Sequence, residues 1–182
     1  MVSFIKKLFP GGRGAARAIY RAIIDQSRQP DFYVHCGVPD TPNGRFELLA
    51  LHLFLVMHRL KDEEEGKALA RALSEQAVQD FDQNLREMGV GDLSVGREVK
   101  SLAEGLYGRM GAYTDGLVDG GDALAQALRR NVFADAAPNE IQIAAVAAYC
   151  RREADALKSC ELSSLIAGQL KFGHAPGGPE TT

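Results

Sequence analysis

Apolar residues recur along this chain at three- and four-residue steps, the period of helices buried along one side. Ile19, Ile23 and Ile24 share a side of a segment from about Ala15 to Arg28, with Arg17, Arg21 and Arg28 elsewhere. The stretch from about Arg45 to Leu60 is apolar nearly all round, as expected of a helix enclosed by others. A third helix, about Glu63–Met88, carries Ala70, Leu73, Ala77, Phe81, Leu85 and Met88 on one stripe, with Glu63, Lys67, Arg71 and Glu75 at i,i+4 steps on another. A fourth, about Val95–Leu117, places Val99, Leu102, Leu106, Met110, Tyr113 and Leu117 together.

The punctuation fits these segments. Pro30, Gly37, Pro39, Pro42 and Gly44 make residues 30–44 a loop, pinned to the core through Phe32 and Tyr33. Gly89 stands where a left-handed helix stop is expected, and the short link Gly89–Asp92 turns the next helix back antiparallel. Gly105, Gly108 and Gly111, each costing the helix about 1 kcal/mol against alanine, point to close approach by a neighbouring helix, or to a kink. An internal seam is preferred to an oligomer seam. After Gly120-Gly121, a fifth helix spans about Asp122–Val132. A sixth starts near Pro138 or Asn139, with Asn139 and Gln142 spaced as a capping box, and reaches Lys158. Leu162–Leu170 is a last, weakly amphipathic segment. The expected fold is all-α: one compact bundle of about six to seven helices over residues 13–172, preceded by an amphipathic basic arm (1–12) and followed by a disordered Gly/Pro-rich tail (173–182).

Composition narrows the class. The 182 residues suffice for one domain with a sizeable core. Net charge is −3, which gives no sign of a nucleic-acid binder, and no nucleic acid is expected as a specific ligand; the distribution of charge is uneven. Residues 1–30 hold Lys6, Lys7, Arg13, Arg17, Arg21 and Arg28 against Asp25, whereas residues 61–92 are rich in acids. Cys36, Cys150 and Cys160 have neither disulfide-framework nor zinc spacing, which favours a reducing compartment. The longest apolar run, Leu48–Met57, is about half of the roughly 20 residues a membrane span needs. A cytoplasmic protein is expected, with peripheral contact at the cytoplasmic face of the inner membrane as an option.

Tests for chemistry come back empty. Asp80-x-Asp82-x-Asn84 echoes a calcium loop but has Leu85 where glycine and Gly91 where glutamate are required. Gly89-x-Gly91 follows a helix rather than a strand, unlike a dinucleotide fingerprint. His52 and His58 fall on different helix faces. The His52 reading preferred to a ligand role is a core histidine with its nitrogen hydrogen-bonded. For adjacent His35 and Cys36 it is two partly packed loop residues. No metal, cofactor or catalytic residue is expected.

The middle of the chain adds a resemblance. Arg28-Gln-Pro-Asp-Phe-Tyr33, Val38-Pro-Asp-Thr41, Gly44-Arg-Phe-Glu-Leu48, Leu51-His-Leu53 and Arg59-Leu60 are followed by Asp80-Phe-Asp-Gln-Asn-Leu-Arg-Glu-Met-Gly-Val-Gly-Asp92 and Tyr107-Gly-Arg-Met-Gly-Ala-Tyr113. These collinear blocks, within about residues 20–118, resemble the ubiquinol–cytochrome c chaperone family. The resemblance implies an all-helical assembly chaperone of the respiratory chain. Its client would be newly made cytochrome b of complex III, with the ribosome as a further candidate partner and no cofactor.

On that resemblance a client surface is expected around Asp40, Thr41, Arg45, Glu47, Asp80, Asp82, Arg86, Glu87 and Asp92. The competing reading makes many of these a polar network, in which Arg45 or Arg86 ties a loop to a helix end. Phe4, Ile5, Lys6, Lys7, Leu8 and Phe9 are the candidates for membrane contact; a flexible or docked arm is the alternative. Two other classes stay open: a helical adaptor or regulator, and, more remotely, a small-molecule enzyme using His52, Glu47, Asp82 and Tyr107.

Overall fold

The computed structural model describes residues 11–177. Among these the elements are all helical: α1 (Gly11–Ser27), α2 (Pro30–Val34), α3 (Pro42–Leu60), α4 (Gly66–Glu87), α5 (Asp92–Val118), α6 (Ala123–Arg130), α7 (Glu140–Ser159) and α8 (Leu162–Ile166). The all-α bundle expected from the sequence is the fold.

α3 is the axis. It touches α1, α4, α5 and α7, which is why its apolar residues need no polar face: Leu48, Leu51, Leu53, Phe54, Leu55 and Val56 are all nearly inaccessible. Each such side chain contributes about 1.5–3 kcal/mol of burial. The remaining helices turn one stripe inward. α1 buries Ala16, Ile19, Tyr20 and Ile23; α4 buries Leu69, Leu73, Ala77 and Phe81.

Local chemistry sets the helix ends. α3 begins where the Thr41 side chain accepts a hydrogen bond from Gly44 N (3.1 Å), with Pro42 at the first position. α7 has the expected capping box: Gln142 N donates to Asn139 Oδ1 (2.9 Å) and Asn139 N to Gln142 Oε1 (3.0 Å). α4 stops in a Schellman turn. Gly89 takes φ +85°, Gly89 N donates to Arg86 O (3.0 Å), and Val90 N donates to Leu85 O (3.0 Å). The α4–α5 hairpin then packs antiparallel as expected.

Three expectations need correction. The loop 30–44 contains the short helix α2, because Pro30 sits at its start, where its missing N–H costs nothing. The glycines of α5 do not form an internal seam. A methyl group on Gly108 or Gly111 would meet no atom within 4 Å, and Gly105 faces the guanidinium of Arg109. The close approach occurs at Gly116, where a methyl would lie 2.7 Å from Leu124 Cα of α6.

The third correction concerns the tail, which is packed through residue 177. Phe172 is buried against the His52 ring (centroids 5.1 Å apart), and Gly173 N donates to Glu153 Oε2 (2.9 Å). The Cys36 thiol meets Pro176 O at 3.6 Å. Glycine and proline gave this segment no helical signal, yet its backbone groups find partners on the bundle. Of the N-terminal arm, Gly11 and Gly12 belong to α1; Phe4, Ile5, Lys6, Lys7, Leu8 and Phe9 lie outside the described residues.

Candidate functional site

The residues expected at a client surface occupy two places. Asp40, Thr41, Arg45 and Glu47 surround the start of α3, while Asp80, Asp82, Arg86, Glu87 and Asp92 lie along the end of α4 and the start of α5. Among the described residues no hydrogen bond or ion pair joins the two groups, and most members are engaged with neighbours in the chain.

Arg45 Nε donates to Asp40 Oδ1 at 2.7 Å, closing the loop onto the first turn of α3. That hydrogen bond holds the exposed Asp40 carboxyl below the usual carboxylate range. Arg86 spans the α4–α5 turn. Its Nε donates to Asp82 Oδ2 (2.7 Å), and Nη1 pairs with Asp92 Oδ1. Asp80 Oδ2 accepts from Tyr20 Oη (3.0 Å) and Asn84 Nδ2 (2.9 Å), tying α4 to α1. Glu87 accepts from Gln83 at 2.8 Å. These pairs are the polar network the competing reading expected. Asp40, Thr41, Arg45, Arg86, Glu87 and Asp92 nonetheless remain exposed.

Glu47 departs from the expectation. It is only 1% exposed and offers no surface to a client. Its carboxylate receives two prongs of Arg109 from α5, Nε to Oε2 at 2.7 Å and Nη2 to Oε1. The guanidinium also lies over the Phe46 ring, 5.3 Å from its centroid, and Phe46 in turn packs on Phe81 of α4 (5.6 Å). Glu47 therefore joins α3 to α5, and Phe46 beside it carries the cluster on to α4. Sequence reasoning missed Arg109 as its partner, because a separation of 62 residues leaves no local signal.

His52 is wholly buried and fully bonded. Nδ1 must donate to the Leu48 carbonyl (2.7 Å), so Nε2 accepts from Tyr149 Oη (2.8 Å). Gln26 Nε2 then donates to Tyr149 Oη at 3.0 Å and to Gly173 O at 2.9 Å. Burial lowers the imidazole from 6.5 to about 4, leaving it neutral. This is the core histidine the sequence favoured.

The enzyme reading loses its geometry. His52, Glu47 and Asp82 each belong to a separate network, and Tyr107 is 63% exposed on α5. The buried thiols of Cys36 and Cys150 are pushed up to about 11 and about 12 by burial, away from nucleophilic thiolates.

Two clefts formed by the described residues are lined by none of His52, Glu47, Asp82 and Tyr107. One, of about 610 Å³, lies between the C-terminal ends of α3 and α5 and the last turns of α7, and includes His58, Lys61, Val118 and Arg151. The other, of about 440 Å³, runs between α1 and α4. Large apolar side chains are exposed along the α4–α5 hairpin: Met88 and Leu93 at its turn, Tyr107 in the middle of α5 and Val118 at its far end, each at least 63% accessible. No described helix is long and apolar enough to cross a membrane.

Comparison with known proteins extends the picture. The sequence profile described as ubiquinol-cytochrome C chaperone matches residues 34–172, well past the 20–118 stretch that carries the visible motifs. The ubiquinol-cytochrome-c reductase complex assembly factor 1 of Xenopus laevis is 24% identical over 153 residues, covering 84% of this chain and 76% of that protein. Its counterpart in Mus musculus is 26% identical over 160 residues, covering 87% of this chain but 54% of the mouse protein. The crystal structure of the Cbp3 homolog from Brucella abortus aligns with a TM-score of 0.84 at 34% identity, over 97% of this chain and 98% of that one.

Proposed function

This chain belongs to the ubiquinol-cytochrome C chaperone family, and on that premise we propose that it binds newly made cytochrome b and holds it for assembly into ubiquinol–cytochrome c reductase. The observation that carries the proposal is the family match across residues 34–172. Two features of the surface support it. The ionisable residues form structural locks instead of converging on a reaction site, as a chaperone without chemistry requires. The α4–α5 hairpin also exposes large apolar side chains beside a charged turn, the mixture that an apolar client with polar loops would meet.

The client contacts we propose are the exposed members of the polar set: Arg86, Glu87 and Asp92 at the turn of that hairpin, with the half-buried Asp82 beside them, and Asp40, Thr41 and Arg45 at the start of α3. Work at the cytoplasmic face of the inner membrane, with residues 4–9 against lipid and the ribosome nearby, is part of the same proposal.

Site-specific photo-crosslinking in cells tests it. A crosslinker at position 88, 93 or 107 should capture cytochrome b during its synthesis, and one at buried position 55 should not. Capture of unrelated soluble proteins only would contradict the client assignment.

A further inference from the structure

The outer face of α1 carries Arg13, Arg17 and Arg21 one turn apart, at steps of roughly 6 Å. All three are exposed, and no carboxylate among the described residues comes within ion-pair distance of any of them. This contrasts with Arg45, Arg59, Arg86, Arg97 and Arg109, each of which reaches an acid. Like charges at i,i+4 repel, so the row disfavours the helix unless something outside it supplies the counter-charge.

The facing helix offers the row three amides and a single carboxylate. Arg13, Gly14 and Arg17 form one wall of the 440 Å³ groove, and Gln76, Gln79 and Gln83 of α4 form the other. Glutamate at those positions would have the same reach and would pair with the arginines; amides add donors without cancelling charge. Asp80, the one acid lining the groove, keeps its negative charge; its Oδ2 is engaged by the neutral donors Tyr20 and Asn84, and it forms no ion pair with Arg13 or Arg17, whose two charges outnumber it. The first turn of α1 contains no acidic residue, so the positive end of the helix dipole adds to the same field.

We propose that this groove is a binding site for the phosphate headgroups of anionic phospholipid in a bilayer. Guanidinium forks and amide N–H groups match phosphate oxygens. Two observations favour lipid over RNA. No aromatic side chain lines the groove for base stacking, and in sequence the row directly follows Val2, Phe4, Ile5, Leu8 and Phe9 with Lys6 and Lys7, the composition of an interfacial segment. The proposal deepens the membrane reading of residues 4–9 and rests on it only for the acyl part of the contact.

Flotation of the full chain with phosphatidylcholine vesicles, with and without phosphatidylglycerol, provides the test. Binding should require phosphatidylglycerol and weaken with salt. Arg13→Gln with Arg17→Gln and Arg21→Gln should lower affinity at least tenfold with an unchanged circular dichroism spectrum. Gln76→Glu with Gln79→Glu should do the same while leaving every arginine in place. Wild-type flotation of both variants would overturn the groove site. A chain lacking residues 2–9 separates the two readings: retained phosphatidylglycerol dependence supports the groove and removes the arm, whereas loss of binding only in that chain removes the groove and keeps the arm. Arginine-dependent binding of an RNA oligonucleotide or an acidic peptide, without vesicle binding, would also overturn the proposal.

Discussion

Arg109 of α5 closes a two-pronged ion pair on Glu47 of α3, and Glu47 is almost completely enclosed. A buried carboxylate is tolerable only while that partner is present, so the pair fixes how the α4–α5 hairpin sits on the axial helix. The hairpin bears the exposed apolar residues assigned to the client, which makes this distant pair a condition for presenting them.

Removing one partner should therefore cost more than removing both. Arg109→Ala strands the Glu47 carboxylate and is expected to destabilise the fold by about 3 kcal/mol; the joint replacement Glu47→Leu with Arg109→Leu should cost much less. Urea denaturation of the single and double variants measures the difference. Additive effects would show that the two residues do not act as a unit.

His52 gives the fold a pH dependence of defined sign. Its imidazole titrates near 4 when folded and near 6.5 when unfolded, because burial opposes the charged form. Between those values the unfolded chain binds a proton that the folded chain does not. Stability contributed by the neutral ring is complete above pH 6.5 and is lost as the pH falls toward 4, by up to about 3 kcal/mol. His52→Gln should flatten this part of the stability–pH curve; an unchanged slope between pH 7 and pH 4.5 would exclude His52 as its source.

Gly44 is where the loop before α3 meets the helix most tightly. A methyl group there would lie 2.0 Å from Pro39 O, a backbone atom that cannot swing away. Gly44→Ala should cost at least about 2 kcal/mol and shift the thermal midpoint down accordingly. A variant that melts with the parent would mean that the loop yields.

How much of this was legible beforehand depended on sequence distance. The long helices of the bundle, the Asn139 capping box and the Gly89 stop are written in residues within a turn or two of one another and appear close to where the pattern placed them, whereas the short helix Pro30–Val34 was hidden by its loop-like prolines and glycine. The buried histidine was legible from its apolar neighbours. The Glu47–Arg109 and His52–Tyr149 pairs, 62 and 97 residues apart, were not. Neither was the packing of residues 173–177, whose partners Gln26, Cys36 and Glu153 lie far back in the chain. The glycines of α5 misled because three-residue spacing says that a helix face is flat but not what lies against it.

The exposed polar set separates folding from binding. Arg86 holds Asp82 and Asp92 at the surface, where ion pairs add little to stability. Arg86→Ala and Arg45→Ala should leave the melting temperature close to that of the parent chain yet reduce crosslinking to cytochrome b several-fold. Loss of crosslinking only in step with loss of folded protein would assign these residues to structure alone.

The bundle is proposed to serve the biogenesis of ubiquinol–cytochrome c reductase by holding cytochrome b. The most direct measurement of that role is the amount of newly made cytochrome b that survives a pulse-chase after the chain is deleted, read beside assembled reductase. Rapid loss of labelled cytochrome b and of the complex, restored by the wild-type chain and not by Arg109→Ala, is the predicted result. Normal cytochrome b turnover and normal complex in the deletion strain would show that the chain does not hold cytochrome b.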